Sequence, residues 1–133
     1  MKLTTKSEYT IIALLYMIRN SQDEYVKIED ICNEHNISKK YLEQLFLTLK
    51  QNRILKTKRG IGGGYKLAIS PEDISLARII RLMDGALAPT ESVSKYFFSH
   101  TPIECEKKVK AVMKEIRDYI SNRLEKLTLH DLI

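Results

Sequence analysis

Apolar positions recur along this chain at helical spacing in five places. Over residues 7–19, Tyr9, Ile12 and Tyr16 share one stripe and Ile11, Leu15 and Ile18 lie beside it. That pattern predicts a helix apolar on most sides, and therefore a central one. Residues 27–35 place Ile28, Ile31 and Cys32 at i, i+3, i+4, a short amphipathic helix that makes Cys32 a core residue. Asn36-Ile37 reads as a tight connection, and Ser38 as the N-cap of a third helix carrying Leu42, Leu45, Phe46 and Leu49 on one face. Two short helices joined by so short a turn predict a helix-turn-helix.

After the third helix the period changes. Residues 56–67 read Lys-Thr-Lys-Arg-Gly-Ile-Gly-Gly-Gly-Tyr-Lys-Leu. This is a basic strand, a glycine-rich tip and a returning strand, as in the wing of a winged-helix protein. Gly60, Gly62, Gly63 and Gly64 allow positive φ and close backbone approach. Glycine loops also hold nucleotide phosphates, but those loops lead into a helix, whereas Tyr65-Lys66-Leu67-Ala68 reads as a strand. Ser70-Pro71 then breaks the chain. A helix follows from Ile74 to Met83, with Leu76, Ile79, Ile80 and Met83 apolar and Gly85 closing it.

The last third predicts one long helix. Residues 86–101 are irregular. Thr101 then offers an N-cap, Pro102 a first helical position and Glu104 a capping box. Running to Lys126, this helix would be about 38 Å long at 1.5 Å per residue. Val109, Val112, Met113, Ile116, Tyr119, Ile120, Leu124 and Leu127 form its apolar stripe. The stripe can pack within the monomer or against the same helix of a second chain. Its length favours a homodimer. The fold class expected is mainly α with a small β-hairpin: residues 1–85 a winged-helix domain, 86–101 a linker or regulatory segment, and 102–133 a dimerisation helix and C-terminal end.

Charge sharpens this picture. The chain has 133 residues and a net charge of +5, and the whole excess lies in residues 1–70. Lys50 to Lys66 holds six cations and no carboxylate. Either this is a solvated basic face or it is a footprint for phosphates. On the third helix, Lys40, Gln44, Leu47 and Gln51 point away from the apolar stripe, with Lys39 and Glu43 beside them. Alone, that is also what any surface helix would show. Next to a basic hairpin it predicts base and phosphate contacts to double-stranded DNA: Gln44 to adenine, Lys39 and Lys40 to phosphate or guanine, Glu43 to cytosine. Lys56, Lys58 and Arg59 add cations at the wing, where Gly60, Gly62 and Gly63 let the tip meet a groove. No bilayer-spanning stretch and no secretory leader is visible, so a cytoplasmic protein without membrane partners is expected. No nucleophile–base or paired-carboxylate motif suggests an enzyme.

Three stretches in order resemble the Rrf2 (Rrf-two) family of bacterial transcription regulators: Met-Lys-Leu-Thr-Thr-Lys-Ser-Glu-Tyr at the start, Ile37-Ser-Lys-Lys-Tyr-Leu-Glu-Gln-Leu-Phe46, and Arg59-Gly-Ile-Gly-Gly-Gly-Tyr65. The resemblance implies a dimeric winged-helix DNA-binding protein; occupying a palindromic operator at a promoter would make it a repressor, with activation the alternative. Ser38, Lys40, Tyr41, Glu43 and Gln44 would lie on its recognition helix, and Arg59 would reach the minor groove. Cluster-binding relatives carry three close cysteines before the long helix. Here that stretch offers Ser92, Ser94, Ser99 and His100, with Cys105 alone. No iron–sulfur cluster held in the usual way, and no other cofactor, is expected. Asp84-Gly85-Ala86-Leu87-Ala88-Pro89 resembles the family's cluster-free, cysteine-metabolism branch, which implies a regulatory partner protein.

Three alternatives stay open. Cys105, expected in the first turn of the long helix with Lys107 and Lys108 nearby, is a candidate redox sensor or an inert thiol at the dimer contact. His100, Glu104 and Cys105 form either a metal-sensing site or ordinary capping chemistry. A module that binds partners but no DNA would use the long helix and leave the basic hairpin idle. His35 and His130 have no ligand spacing.

Overall fold

The computed structural model describes residues 1–133. Helix α1 spans Thr5–Asn20, α2 Ile28–His35 and α3 Lys39–Gln51. Strands β1 (Leu55–Lys58) and β2 (Gly64–Leu67) form an antiparallel hairpin, followed by α4 (Leu76–Asp84) and α5 (Lys107–Lys126). The expected fold class is the observed one. The chain forms two compact units. One comprises Glu8–Ile74 with Thr128–Ile133; the other comprises Met1–Ser7 with Ser75–Leu127.

In the first unit, Leu42, Leu45, Phe46 and Leu49 of α3 are buried, as their spacing requires. Ile28 and Ile31 of α2, Ile54 and Leu55 before the wing, and Ile74 and Leu129 complete that core. Leu129 N–H donates to Ile74 O at 3.0 Å, which fastens the last residues of the chain to this unit. Helix α1 turns differently from expectation. Its buried side is Ser7, Thr10, Ala13, Leu14 and Met17, while Ile12 is exposed and Tyr9 and Tyr16 only half-buried. Cys32 is half-buried rather than core.

In the second unit, α4 begins two residues later than expected. Ser75 is its N-cap, accepting from Arg78 N–H at 3.1 Å, and Gly85 closes it at φ +85°. Asp84 is the fastening point of the N-terminus. Thr4 N–H (2.8 Å), Thr4 Oγ1 (2.5 Å) and Ser7 Oγ (2.6 Å) all donate to its carboxylate. Arg81 joins α4 to α5 through Glu125 and Ser121, and lies over the Tyr96 ring. Residues 86–101 are not a plain linker. A 3-10 turn at Glu91–Val93 buries Ser92 and Val93, Thr101 Oγ1 donates to Ser92 Oγ at 2.6 Å, and Arg117 donates to Val93 O at 2.8 Å.

The long helix is the largest correction. Thr101, Pro102 and Glu104 head a separate 3-10 turn, Pro102–Cys105, and α5 starts only at Lys107. Glu104 accepts from Thr101 N–H at 3.3 Å, but the Thr101 hydroxyl is directed to Ser92. Glu106 is extended (φ −102°, ψ 90°), which breaks the helix there. The 20 residues of α5 make it about 30 Å long. Cys105 therefore stands outside α5, exposed, with Sγ 3.1 Å from Pro102 O. The apolar stripe is also two faces rather than one. Met113, Ile120, Leu124 and Leu127 are half-buried, whereas Val109, Val112, Ile116 and Tyr119 are exposed.

Burial pushes the Asp84 carboxyl up, but the hydrogen bonds from Ser7 and Thr4 outweigh it and hold the group below its ordinary value. A depressed folded-state value gives stability that is complete above the unfolded value of about 3.9. It is lost as pH falls through the folded value. Asp84→Asn should cost about 1–3 kcal/mol at pH 7. Its melting temperature should converge on that of the parent in acid. An equal gap at pH 7 and in acid would refute this role.

Candidate nucleic-acid interface

The interface is built on the buried side of α3. Because Leu42, Leu45, Phe46 and Leu49 face the core, Lys40, Gln44 and Leu47 must face solvent. Asn36 in the left-handed region (φ 52°, ψ 49°) ends α2, and the Ser38 hydroxyl accepts from Tyr41 N–H at 3.4 Å to start α3. Such a cap contributes about 1 kcal/mol. It also fixes where the first turn of α3 points.

The wing is held against α3 through Tyr65. Strand register pairs Leu55 with Leu67, Lys56 with Lys66, Thr57 with Tyr65 and Lys58 with Gly64. Tyr65 also exchanges both backbone hydrogen bonds with Val26, each 2.8 Å, so the segment before α2 acts as a third strand at one point. Its ring meets Phe46 of α3 edge-on at 4.8 Å between centroids. Burial first, then Glu43 and Glu29, pushes the Tyr65 phenol up. At the tip, Gly60 (φ +88°) and Gly62 (φ +73°) take the left-handed conformations the turn needs. Gly63 and Gly64 answer a different need, because a Cβ would stand 2.3 Å from Lys58 O at the first and 2.3 Å from Val26 O at the second.

Between α3 and the wing runs an open groove. Lys40, Glu43, Gln44, Leu47 and Lys50 line one wall; Thr57, Lys58, Arg59, Gly64 and Tyr65 line the other. Of the residues expected to meet DNA, this groove gathers Lys40, Glu43, Gln44, Lys58 and Arg59. Lys39 is engaged elsewhere. Its ammonium lies 2.8 Å from Glu29 and 3.8 Å from Glu43, and the Glu29 carboxylate holds it above its ordinary value. Tyr41 packs edge-on to Tyr9 at 5.8 Å. Lys56 is exposed outside the groove, directly across the hairpin from Lys66.

Two residues at the wing, Tyr25 and Ile61, were not singled out by sequence reasoning, and Lys66 was counted only as one cation of the basic run. Two ammonium groups lie over the Tyr25 ring, Lys58 at 5.9 Å and Lys66 at 5.7 Å from its centre. The ring therefore holds two like charges side by side on the wing. Lys66 is also tied to Asp23 O at 2.5 Å. Ile61 stands fully exposed at the tip. The signal for Tyr25 was absent from local spacing, since it reaches the wing only through the Val26–Tyr65 bridge.

This helix-turn-helix with its wing has close counterparts. A family model described as "Rrf2: Iron-dependent Transcriptional regulator" matches residues 3–133. The chain belongs to the Rrf2 family. This Rrf2 protein is 31% identical to the HTH-type transcriptional regulator IscR of Photobacterium profundum, across all of this chain and 76% of the relative. Its fold is similar to that of CymR, titled the global cysteine regulator of B. subtilis, with TM-score 0.79 and 28% identity over 99% of this chain and 95% of that one. It is also similar to T. potens IscR, with TM-score 0.76 and 30% identity over 99% and 85%. The Rrf2 protein is thus a transcriptional regulator with a DNA-binding helix-turn-helix, and its family and relatives are not enzymes. No helix is long and apolar enough to cross a membrane.

The iron in the family's description finds no matching donors here. No three His, Cys, Asp or Glu side chains converge on one point. His100 Nδ1 lies 2.9 Å from Glu104, whose carboxylate the His100 contact holds below its ordinary value while also accepting from Thr101 N–H. Cys105 does not join them, as its thiol is directed to Pro102 O. Burial, with Glu29 and Glu43, pushes the Cys32 thiol up, so Cys32 stays protonated.

The glycines of the wing separate two kinds of constraint. Gly64→Ala should displace the wing from Val26, lowering the melting temperature and abolishing DNA binding together. Gly62→Ala meets open space and carries only backbone strain, of about 1 kcal/mol. Thermal melts paired with gel shifts check both, and equal behaviour of the two variants would contradict this assignment.

Proposed function

We propose that this Rrf2 protein is a cytoplasmic, homodimeric repressor that binds a roughly palindromic operator without an iron–sulfur cluster. One observation carries the reading: the groove between α3 and the wing, with cations and an amide converging on it from both walls. Lys40, Lys50, Lys58 and Arg59 bind phosphates there. Gln44 presents its amide to adenine and Glu43 its carboxylate to cytosine in the major groove. The tip from Gly60 to Gly63 brings backbone and Arg59 to the minor groove.

Ser38 places the first turn of α3, and Lys39, tied to Glu29, steadies Glu43 beside it. The dimer is supported by the exposed apolar face of α5. Val109, Val112, Ile116 and Tyr119 recur there at helical spacing and remain uncovered in the single chain, Tyr119 at 72%. Half-buried Met113, Ile120 and Leu124 seat the other side of the same helix. Occupying a promoter as a dimer blocks transcription sterically. The cluster-free reading is supported by the hydroxyl network of Ser92, Thr90 and Thr101, which fills the stretch where cluster-binding relatives carry thiols.

The DNA reading makes distinct demands on two variants. Gln44→Ala should cost about 1–3 kcal/mol at one operator position and relax preference there. Arg59→Ala should weaken binding and lower the salt slope by about 1. If gel shifts over a salt series show neither effect, the groove is not the DNA site. A single sedimentation run on anaerobically purified protein, read in the ultraviolet and the visible, tests the rest. The expected boundary has the mass of two chains and no visible absorption, and Ile116→Glu should run as one chain. A monomer, or a coloured dimer, would overturn the corresponding half of the proposal.

A further inference from the structure

Leu47 has no part in the polar contacts assigned to α3. It follows Gln44 by three residues and Lys40 by seven, on the same face, and lines the groove with them and with Thr57 and Arg59. It is 54% exposed. The core needs nothing from it, because Leu42, Leu45, Phe46 and Leu49 already fill the buried side of α3. A leucine open to water in the middle of a cationic groove neither attracts phosphate nor packs in the free protein. Its chemistry has one counterpart on the major-groove edge of DNA. The bases are otherwise read there through hydrogen-bond donors and acceptors, whereas the thymine C5-methyl is a projecting apolar group.

We propose that Leu47 is a specificity-determining residue that packs against a thymine C5-methyl in each half-site. This rests on the reading of α3 as the recognition helix. Leu47 stands about 4.5 Å along the helix axis from Gln44. A base-pair step is about 3.4 Å. The thymine therefore adjoins the base pair that Gln44 meets. Gln44 reads by hydrogen bonds and Leu47 by burial of a methyl group, so the two residues discriminate by independent means.

Deoxyuridine provides the test, since it differs from thymidine by that methyl alone. A duplex selected by the unaltered protein from a random-sequence pool is resynthesised with deoxyuridine replacing each thymidine in turn. The protein should lose about fourfold in affinity at one symmetric thymine per half-site, the equivalent of one buried methyl. Leu47→Ala, which removes the contact from both half-sites at once, should bind the thymine duplex about sixteenfold more weakly, about fourfold per half-site, and no longer distinguish thymine from uracil at that position. Leu47→Met should retain the discrimination. Because Leu47 lies outside the core and touches no phosphate in this assignment, the alanine variant should keep its melting temperature and salt slope. If no thymine is uracil-sensitive, or if Leu47→Ala keeps the full sensitivity, the assignment is overturned while DNA reading by Gln44 stands. If no sequence is selected at all, the recognition-helix reading falls and this inference falls with it.

Discussion

The double hydrogen bond between Val26 and Tyr65 fixes the geometry on which the groove depends. A two-stranded hairpin in water is marginally stable by itself. Here the wing gains a third backbone partner at one residue, and the same residue packs its ring against Phe46 of α3. The distance from wing to α3 is thereby set by two short non-covalent links, the backbone pair with Val26 and the ring contact with Phe46. Gly64 is part of this arrangement, since Val26 O occupies the space a side chain would need. Loosening any of these would leave Arg59 and Gln44 present but no longer in fixed relation.

The polar fastenings follow a consistent logic. Where a small element must be anchored, one acceptor gathers several donors, as Asp84 does for Thr4 and Ser7. On the wing, Lys56 stands exposed, whereas Lys58 and Lys66 lie over the Tyr25 ring and Lys66 also donates to Asp23 O. Lys39 is intermediate: its ion pairs are exposed and individually weak. Their worth lies in orienting Glu43 rather than in stability.

Much of this was legible in the residues. The buried face of α3 followed from a period of 3.6, and its solvent face is the complement of that face. Ser38 and the wing glycines announced a helix start and a turn through local chemistry. Long-range relations were not legible. Helix α1 buries Thr10 and Ser7, the latter bonded through its hydroxyl to Asp84, and hydrophobicity counting passes over such positions. The capping signal at Thr101 was genuine but heads a 3-10 turn, because Glu106 adopts an extended conformation that no local rule demanded. The engagement of Lys39 by Glu29 and the contact of two lysines with the Tyr25 ring both cross between elements. Spacing along one element cannot show them.

The wing tip has an evolutionary corollary. Ile61 touches nothing in its own chain, and the glycines on either side of it border open space. Substitutions at this position are invisible to folding and felt only by whatever the tip meets. Selection can therefore retune contact there one side chain at a time, while Gly63 and Gly64, two and three residues away, are closed to change. A lineage of such regulators can diverge in what its wing prefers without first acquiring spare stability.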